Sequence, residues 1–281
     1  MTRIPRIAAV NDLSGFGRCS LTVALPILSS MGFQVCPLPT VLLSAHTGYP
    51  HPHIRDFTED MQSYLAHWDS LGLDFDAVYT GFLGNEQQET LLQPLLSRMR
   101  DQGALRLVDP AMADHGQLYA TCSSGLVDAM RPLVSLASVT TPNLTEACLL
   151  ADEDYFYIAA LPDAQREQAV WKVGERLRSF GCDNVVITGV PGKDNTIVNY
   201  VLDGTGHYMV PSQTVERTFA GTGDVFSSLL CGYLLKGMPL VDAVTRTAAF
   251  VYKVTAYTAS LGLPEQDGIV FELFLKDGVD Q

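Results

Sequence analysis

The sequence predicts an α/β protein of three layers, α/β/α, in which helices cover both faces of a mostly parallel central sheet. Two features of the chain predict this fold. Short apolar runs alternate with stretches of helical periodicity, and polar or glycine residues follow the runs, where the loops of a parallel sheet converge. No linker or repeat divides the 281 residues, of which 47% are hydrophobic, so we expect a single domain over residues 1–281.

The predicted strands are short runs of aliphatic and β-branched residues between turn signals. In chain order they cover residues 7–10, 34–43, 77–82, 105–108, 138–141, 185–188, 196–202 and 207–210, and the last two form a hairpin around Asp203-Gly204-Thr205-Gly206. The predicted helices lie near residues 19–31, 54–70, 86–102, 144–151, 164–180, 224–236 and 240–260, where apolar residues recur at helical spacing.

The charge balance limits the partners that this protein can have. With 18 basic and 31 acidic residues the net charge is −13, so we expect neither a nucleic acid nor an anionic membrane surface as the main partner. The six cysteines form no C-x-x-C pair and are typical of buried thiols in a reducing compartment. Residues 1–10 lack the apolar core of a signal peptide, and no apolar run reaches membrane-spanning length, so we expect a cytoplasmic protein.

The segment Gly221-Thr222-Gly223-Asp224 precedes a long apolar helix and is the most informative motif of the chain. Its two glycines let the backbone bend tightly and present bare N–H groups at a helix N-terminus, where the helix dipole favours an anion. The carboxylate of Asp224 would repel a bound phosphate unless it accepts a proton from an attacking hydroxyl. The alternative is an ordinary turn in which Asp224 caps the helix.

Polar or glycine residues also follow six of the predicted strands. The segments are Asn11-Asp12, residues 44–49, Thr80-Gly81-Phe82, Asp109-Pro110, Thr141-Pro142-Asn143 and Thr188-Gly189. In parallel sheets ligands bind beyond the carboxyl ends of the strands, so these segments are expected to surround one site.

These motifs, in this order, resemble those of the pyridoxal kinases, which belong to the vitamin kinase branch of the ribokinase-like fold. The resemblance extends from Ile7 to about Ala259 and is carried by residues 10–17, 41–49, 80–85, 108–114, 141–146 and 221–224. It implies an enzyme that uses ATP and Mg²⁺ to phosphorylate the 5′-hydroxymethyl group of a B6 vitamer, and that forms a homodimer.

The resemblance also implies a role for each site residue. Asp224 corresponds to the catalytic base, and Gly221, Thr222 and Gly223 to the anion hole for the transferred phosphoryl group. Asp114 and Glu146 correspond to the pair that organises Mg²⁺. Asp109 and Thr141 lie where the family arranges the triphosphate and a monovalent cation such as K⁺, and Thr188 where it contacts an ATP phosphate. Asp12, His46, Thr47 and Phe82 fall at the vitamin ring.

Three positions depart from the family pattern. Asp12 stands where many pyridoxal kinases have serine, Phe82 replaces a stacking tyrosine, and Ser20-Leu21 replaces a glycine–asparagine pair. A carboxylate at position 12 would favour a cationic ring or the amine of pyridoxamine. The departures leave open which vitamer is preferred, and whether the ring is a pyridine or a pyrimidine.

Several alternatives remain open from the sequence. The nearest other enzyme is a hydroxymethylpyrimidine kinase, and a non-catalytic vitamin-binding protein could retain the same scaffold. Cys19 lies near the expected ring site, where it either meets an aldehyde or is an inert buried thiol. Lys193 either reaches a phosphate or is solvated in its turn, and Glu146 either holds metal or lies on a solvated helix face.

Overall fold

The computed structural model describes residues 3–279, and within them the chain forms a sheet of nine strands. The strands are β1 Arg6–Ser14, β2 Gln34–Leu43, β3 Ile54–Asp56, β4 Ala77–Thr80, β5 Leu105–Val108, β8 Val139–Thr140, β9 Asn184–Pro191, β10 Thr196–Leu202 and β11 His207–Gln213, and a separate small hairpin consists of β6 Ala113–Asp114 and β7 Gln117–Leu118.

The order of strands in the sheet is β11-β10-β9-β8-β5-β4-β1-β2-β3. The six strands from β9 to β2 in this order run parallel, whereas β10 and β11 at one edge and β3 at the other are antiparallel to their neighbours. The carboxyl ends of the six parallel strands therefore share one edge of the sheet.

Helices cover both faces of this sheet. They are α1 Ser20–Ser30, α2 Thr58–Ser70, α3 Glu86–Asp101, α4 Ser124–Leu136, α5 Leu144–Ala151, α6 Tyr155–Ala160, α7 Asp163–Arg178, α8 Thr222–Leu235, α9 Leu240–Ser260 and α10 Leu275–Val279. Side chains of α2 to α7 pack in one apolar core, and those of α1, α8 and α9 in a second core on the opposite face.

Alternation along the strands separates the two cores. In β4, Val78 belongs to the core of α2 to α7, whereas Ala77 and Tyr79 belong to the core of α1, α8 and α9. This arrangement confirms the predicted three-layer α/β/α fold.

The structure corrects the sequence prediction at several elements. Residues 54–56 form the edge strand β3 instead of the start of a helix, and helix α4 was not predicted at all. Strand β1 extends through Asn11 and Asp12, which therefore lie within the strand and not after it, and its pairing with β2 shifts by one residue between Asn11 and Leu13. Strand β9 likewise continues past Thr188.

Helix α9, with 21 residues, is the longest of the helices that the structure describes within residues 3–279. None of them combines the length and the apolar composition that crossing a bilayer requires.

We expect Leu96→Ala to lower the free energy of unfolding by about 2–5 kcal/mol, because Leu96 on α3 is fully buried and its loss leaves a cavity in the larger core. Arg100→Ala, at an exposed position of the same helix, is the control and should change stability by less than about 0.5 kcal/mol. Urea unfolding of both variants measures the difference, and equal losses would contradict the assigned packing of α3.

Candidate active site

Helix α8 begins at the predicted anion hole. Its N-cap residue, Gly221, has a left-handed backbone with a φ of 77°. A Cβ atom at this position would lie 2.0 Å from the carbonyl oxygen of Arg18, so both the backbone angle and the close approach require glycine. Thr222 and Gly223 follow in the first turn, where backbone N–H groups have no acceptor within a helix. These N–H groups and the helix dipole provide an anion-binding position.

The carboxylate of Asp224 lies beside this anion hole and is partly buried. The side-chain amide of Asn11 donates to its Oδ1 atom at 3.4 Å, and the backbone N–H of Ser20 also faces it. Burial raises the pKa of Asp224 to about 7, although the Ser20 N–H and the Asn11 amide oppose that shift. A carboxylate with this pKa is suited to accept a proton near neutral pH.

Asn11 is held in place by two backbone donors. Its Oδ1 atom accepts from the N–H of Phe82 at 2.8 Å and from that of Asp12 at 3.0 Å, which fixes the amide so that Nδ2 points to Asp224. Gly81 makes room for it, because a Cβ there would lie 2.2 Å from Asn11 Nδ2. The sequence placed Asn11 at the site but gave no sign of this contact.

Behind Asp224, a chain of hydrogen bonds links Asp109 to Thr141. The Ser227 hydroxyl donates to Asp109 Oδ2 at 2.8 Å and lies 3.0 Å from the Thr141 hydroxyl. All three residues are buried. Burial, reinforced by the charge of Asp224, raises the pKa of Asp109. The sequence analysis missed Ser227, which lies three residues after Asp224 and therefore near the same face of α8.

Glu146 is buried, with 3% of its surface exposed, so the alternative of a solvated helix face is wrong. It forms a capping box with Asn143 at the start of α5, in which Oε2 accepts from the Asn143 N–H at 2.9 Å. Oε1 accepts from the N–H groups of Met112 and Ala113 at 3.1 and 3.4 Å. Burial raises the pKa of Glu146, with a further contribution from Asp109.

Asp114 is the residue after Ala113 in the β6–β7 hairpin, and its side chain is 45% exposed. Glu146 bonds to the residues that precede Asp114, so the two acidic residues approach the same turn. Within residues 3–279 no three His, Cys, Asp or Glu side chains form a cluster that could enclose a metal. Mg²⁺ usually takes one or two carboxylates, several waters and substrate phosphates, so this donor set fits a Mg²⁺ shared with a nucleotide.

His46 lies in the loop after β2 and is fixed by backbone contacts. Its Nδ1 atom accepts from the N–H of Gly48 at 3.0 Å, so Nε2 carries the proton and donates to the carbonyl of Gln266 at 2.6 Å. Thr47 beside it is exposed, and Phe82 is partly buried. The ring of His46 packs against Gly17, where a Cβ would lie 2.2 Å from His46 Cδ2.

Asp12 and Cys19 are both buried beside the base. Both carboxylate oxygens of Asp12 accept from hydroxyls, Oδ2 from Ser14 at 2.9 Å and Oδ1 from Ser20. Burial, with added repulsion from Asp12 and Asp224, raises the pKa of the Cys19 thiol to about 12. A thiol with this pKa stays protonated at neutral pH and is a poor nucleophile.

Two further residues named from the sequence differ in their surroundings. Thr188 lies in β9 next to the end of β8, and its N–H donates to the Pro142 carbonyl at 2.9 Å. Lys193 is 74% exposed and lies 3.7 Å from Asp163 of α7, as expected for a solvated turn lysine.

Tyr119 follows the β6–β7 hairpin and lies within the electrostatic range of the acidic residues of the site. Burial raises the pKa of its hydroxyl, and the charges of four carboxylates raise it further. Those carboxylates are Glu146, Asp114, Asp109 and Asp224. Tyr119 is 40% exposed, and its backbone N–H donates to the Met112 carbonyl at 2.9 Å.

Residues 263–269, here called the C-terminal strap, join both sides of the site. On one side, Gln266 accepts from His46, and Asp267 accepts from the Tyr49 hydroxyl at 2.5 Å. On the other side, the Ala220 N–H donates to the Glu265 carbonyl at 3.1 Å. The strap thus connects the loop of His46 to the anion-hole loop.

A cavity of about 170 Å³ opens next to the anion hole, between the β10–β11 hairpin and helices α8 and α9. Its walls are mainly apolar or aromatic and include Asn199, Phe219, Thr222, Phe226, Val251 and Tyr252. Because Thr222 belongs to both the cavity and the anion hole, a ligand could place a ring in the cavity and a phosphate at the helix.

Comparison with known proteins shows which family the chain resembles. The sequence model of the phosphomethylpyrimidine kinase family matches residues 60–269. The pyridoxine/pyridoxal/pyridoxamine kinase of Bordetella avium is 29% identical, over 93% of this chain and 90% of its own length. The pyridoxal kinase of Lactobacillus plantarum superposes with a TM-score of 0.87 at 29% identity, covering 98% of this chain and 97% of that one.

A Bacteroides thetaiotaomicron protein, crystallised in a form with pyridoxal, is similar at 37% identity with a TM-score of 0.92 and covers 98% of this chain and 96% of that one. The family model matches more than half of the chain, and relatives named as pyridoxal kinases match over most of their length. The chain therefore belongs to the phosphomethylpyrimidine kinase family, in its pyridoxal kinase branch within the ribokinase-like superfamily.

Proposed function

We propose that this protein is an ATP-dependent kinase that phosphorylates the 5′-hydroxymethyl group of a B6 vitamer, namely pyridoxal, pyridoxamine or pyridoxine. The observation that carries the proposal is Asp224, a carboxylate with a pKa of about 7 beside a helix N-terminus that can hold a phosphoryl group. The relatives named as pyridoxal kinases support the choice of substrate.

In this proposal Asp224 accepts the proton of the substrate hydroxyl, and the hydroxyl oxygen forms a bond to the γ-phosphorus of ATP. The bond from that phosphorus to the β,γ-bridging oxygen breaks, and ADP leaves. The N–H groups of Thr222 and Gly223, with the left-handed turn at Gly221, stabilise the charge that develops on the phosphoryl oxygens. Asn11 keeps the Asp224 carboxylate oriented. When bound between Asp114, Glu146 and the triphosphate, Mg²⁺ supplies positive charge that offsets the charge of the phosphates.

The same proposal assigns the two ends of the site. The vitamin ring lies near His46, Thr47 and Phe82, and the nucleoside of ATP enters the apolar cavity next to Thr222. Thr188 lies along the path of the phosphates. The oxygens of Asp109 and Thr141, joined through Ser227, are suited to a monovalent cation such as K⁺. We also propose that the protein is cytoplasmic and, as the family resemblance implies, that it forms a homodimer.

A second candidate is phosphorylation of hydroxymethylpyrimidine, because the matched family is named for a phosphomethylpyrimidine kinase and therefore for the same kind of ring. The two candidates share the acceptor chemistry, so only the ring differs. One coupled assay with pyridoxal, pyridoxamine, pyridoxine and hydroxymethylpyrimidine as acceptors distinguishes them. Absence of turnover with all four, at saturating Mg²⁺ and ATP, would overturn the proposed function.

The base assignment predicts that Asp224→Asn lowers kcat by about 10²–10⁴-fold, because the amide cannot accept the proton. ATP binding, measured by calorimetry, should be nearly unchanged because the anion hole is retained. Asp242→Asn, at an exposed position of α9, is the matched control and should keep full activity. An Asp224→Asn enzyme with more than about a tenth of the wild-type kcat would show that another group takes the proton.

The pKa of about 7 predicts the pH dependence. Asp224 must be ionised to act as a base, so kcat/KM should be constant well above pH 7 and fall about tenfold for each pH unit well below it. The measurement is a kcat/KM profile from pH 5.5 to 8.5. A wild-type profile that stays flat down to pH 5.5 would mean that Asp224 is not the titrating base.

The metal assignment predicts that Asp114→Asn raises the Mg²⁺ concentration for half-maximal rate, because a hard oxygen ligand loses its charge. Its half-exposed position means that the melting temperature should not change. Glu146→Gln should raise the Mg²⁺ requirement and also lower the melting temperature, because its carboxylate caps α5. If both variants titrate with Mg²⁺ like wild type, the pair does not organise the metal.

A further inference from the structure

Ser20, the first residue of helix α1, has an unusual backbone conformation. Its φ is 52°, in the left-handed region that side-chain-bearing residues rarely adopt. Glycine takes this conformation without steric cost, whereas serine needs support from its surroundings. The support must come from contacts of the Ser20 side chain or backbone.

The side chain of Asp12 supplies that contact. Ser20 Oγ donates to Asp12 Oδ1, and Ser14 Oγ donates to Oδ2 at 2.9 Å. Asp12 and Ser20 are each 6% exposed, and Ser14 is fully buried. Both oxygens of the carboxyl group are therefore occupied by hydroxyls of the chain, and the group faces the start of α1.

The backbone of Ser20 is in turn part of the catalytic centre. Its N–H faces the Asp224 carboxylate and lowers the pKa of that group. The preceding turn also forms a wall of the anion hole, since the Arg18 carbonyl approaches Gly221 so closely that no Cβ fits between them. A change in the conformation of Ser20 would move both the N–H that faces the base and this wall.

We propose that Asp12 is a positioning residue for the catalytic base, which acts by holding Ser20 in its left-handed conformation. The inference rests on the proposed function, because it takes Asp224 as the base. It replaces the expectation from the sequence that Asp12 contacts the vitamer. The two ideas differ in their kinetics, because a positioning residue affects kcat equally for every acceptor, whereas a ring contact discriminates among vitamers.

The experiment is a double-mutant cycle of Asp12→Ala, Ser20→Gly and the double variant. Asp12→Ala should lower kcat by about tenfold, which is within the coupling range of contacting residues, and by the same factor for pyridoxal, pyridoxine and pyridoxamine. Ser20→Gly should lower kcat less, because glycine adopts the required φ without support. In the Ser20→Gly enzyme, adding Asp12→Ala should lower kcat by a much smaller factor than it does in the wild-type enzyme.

Two further measurements separate positioning from simple stability. Asp12→Asn keeps an oxygen that can accept from Ser20, so it should recover most of the kcat that Asp12→Ala loses. Melting temperatures of all variants are recorded, and kcat is compared at a temperature where each is folded. KM for ATP should stay close to wild type throughout.

Each contrary result has a defined meaning. Losses that differ among vitamers and lie mainly in KM would place Asp12 against the substrate. Additive losses in the cycle would show that Asp12 does not act through Ser20. Either outcome overturns the inference about Asp12, and the proposed function still stands if the wild-type protein shows turnover. A wild-type protein that turns over none of the acceptors would overturn both the inference and the proposed function.

Discussion

Burial of acidic groups is the constraint on which this site depends. Asp12, Asp109 and Glu146 are almost completely buried, and Asp224 lies partly buried near them, in a chain whose net charge is already −13. Unpaired buried carboxylates are costly, and no arginine or lysine pairs with these four among the described ion pairs. Neutral donors compensate instead, and they include serine hydroxyls, the Asn11 amide and backbone N–H groups.

This arrangement has chemical value for a kinase. Neutral donors orient the carboxylates without cancelling their charge, so the site stays able to take up a proton and cations. Two of the donors lie at helix starts, namely the Ser20 hydroxyl at α1 and the Asn143 N–H at α5, where backbone N–H groups have no acceptor within the helix.

Much of the fold could be predicted because local signals agreed with it. Residues 34–43, 105–108, 196–202 and 240–260 were predicted with their observed bounds, since apolar runs there end at clear turn residues. Helix α4, which contains Gly125 and Pro132, was missed, although α1 and α3 each contain an internal proline and were predicted. The edge strand β3 was missed because three exposed residues carry no alternation signal.

The sequence predicted which segments surround the site, but it did not predict the side-chain contacts between them. The sequence named the loops of Asp109, Thr141 and Asp224, whereas the linking role of Ser227 depends on side-chain directions across distant elements. Asp12 and Ser20 were noted separately as departures from the family pattern. Only the structure shows that they touch, because seven residues of strand and turn lie between their positions.

The C-terminal strap has a consequence for how the protein is made. His46 and the carbonyl that it contacts are 220 residues apart in sequence, and the strap follows the other segments of the site along the chain. During synthesis the domain emerges from its N-terminus, so the sheet and the loop of His46 exist before the strap leaves the ribosome. The nascent chain therefore cannot complete this site before residues 263–269 have been synthesised. In a chain that is truncated before residue 263, the loop of His46 and the anion-hole loop lack the strap that joins them.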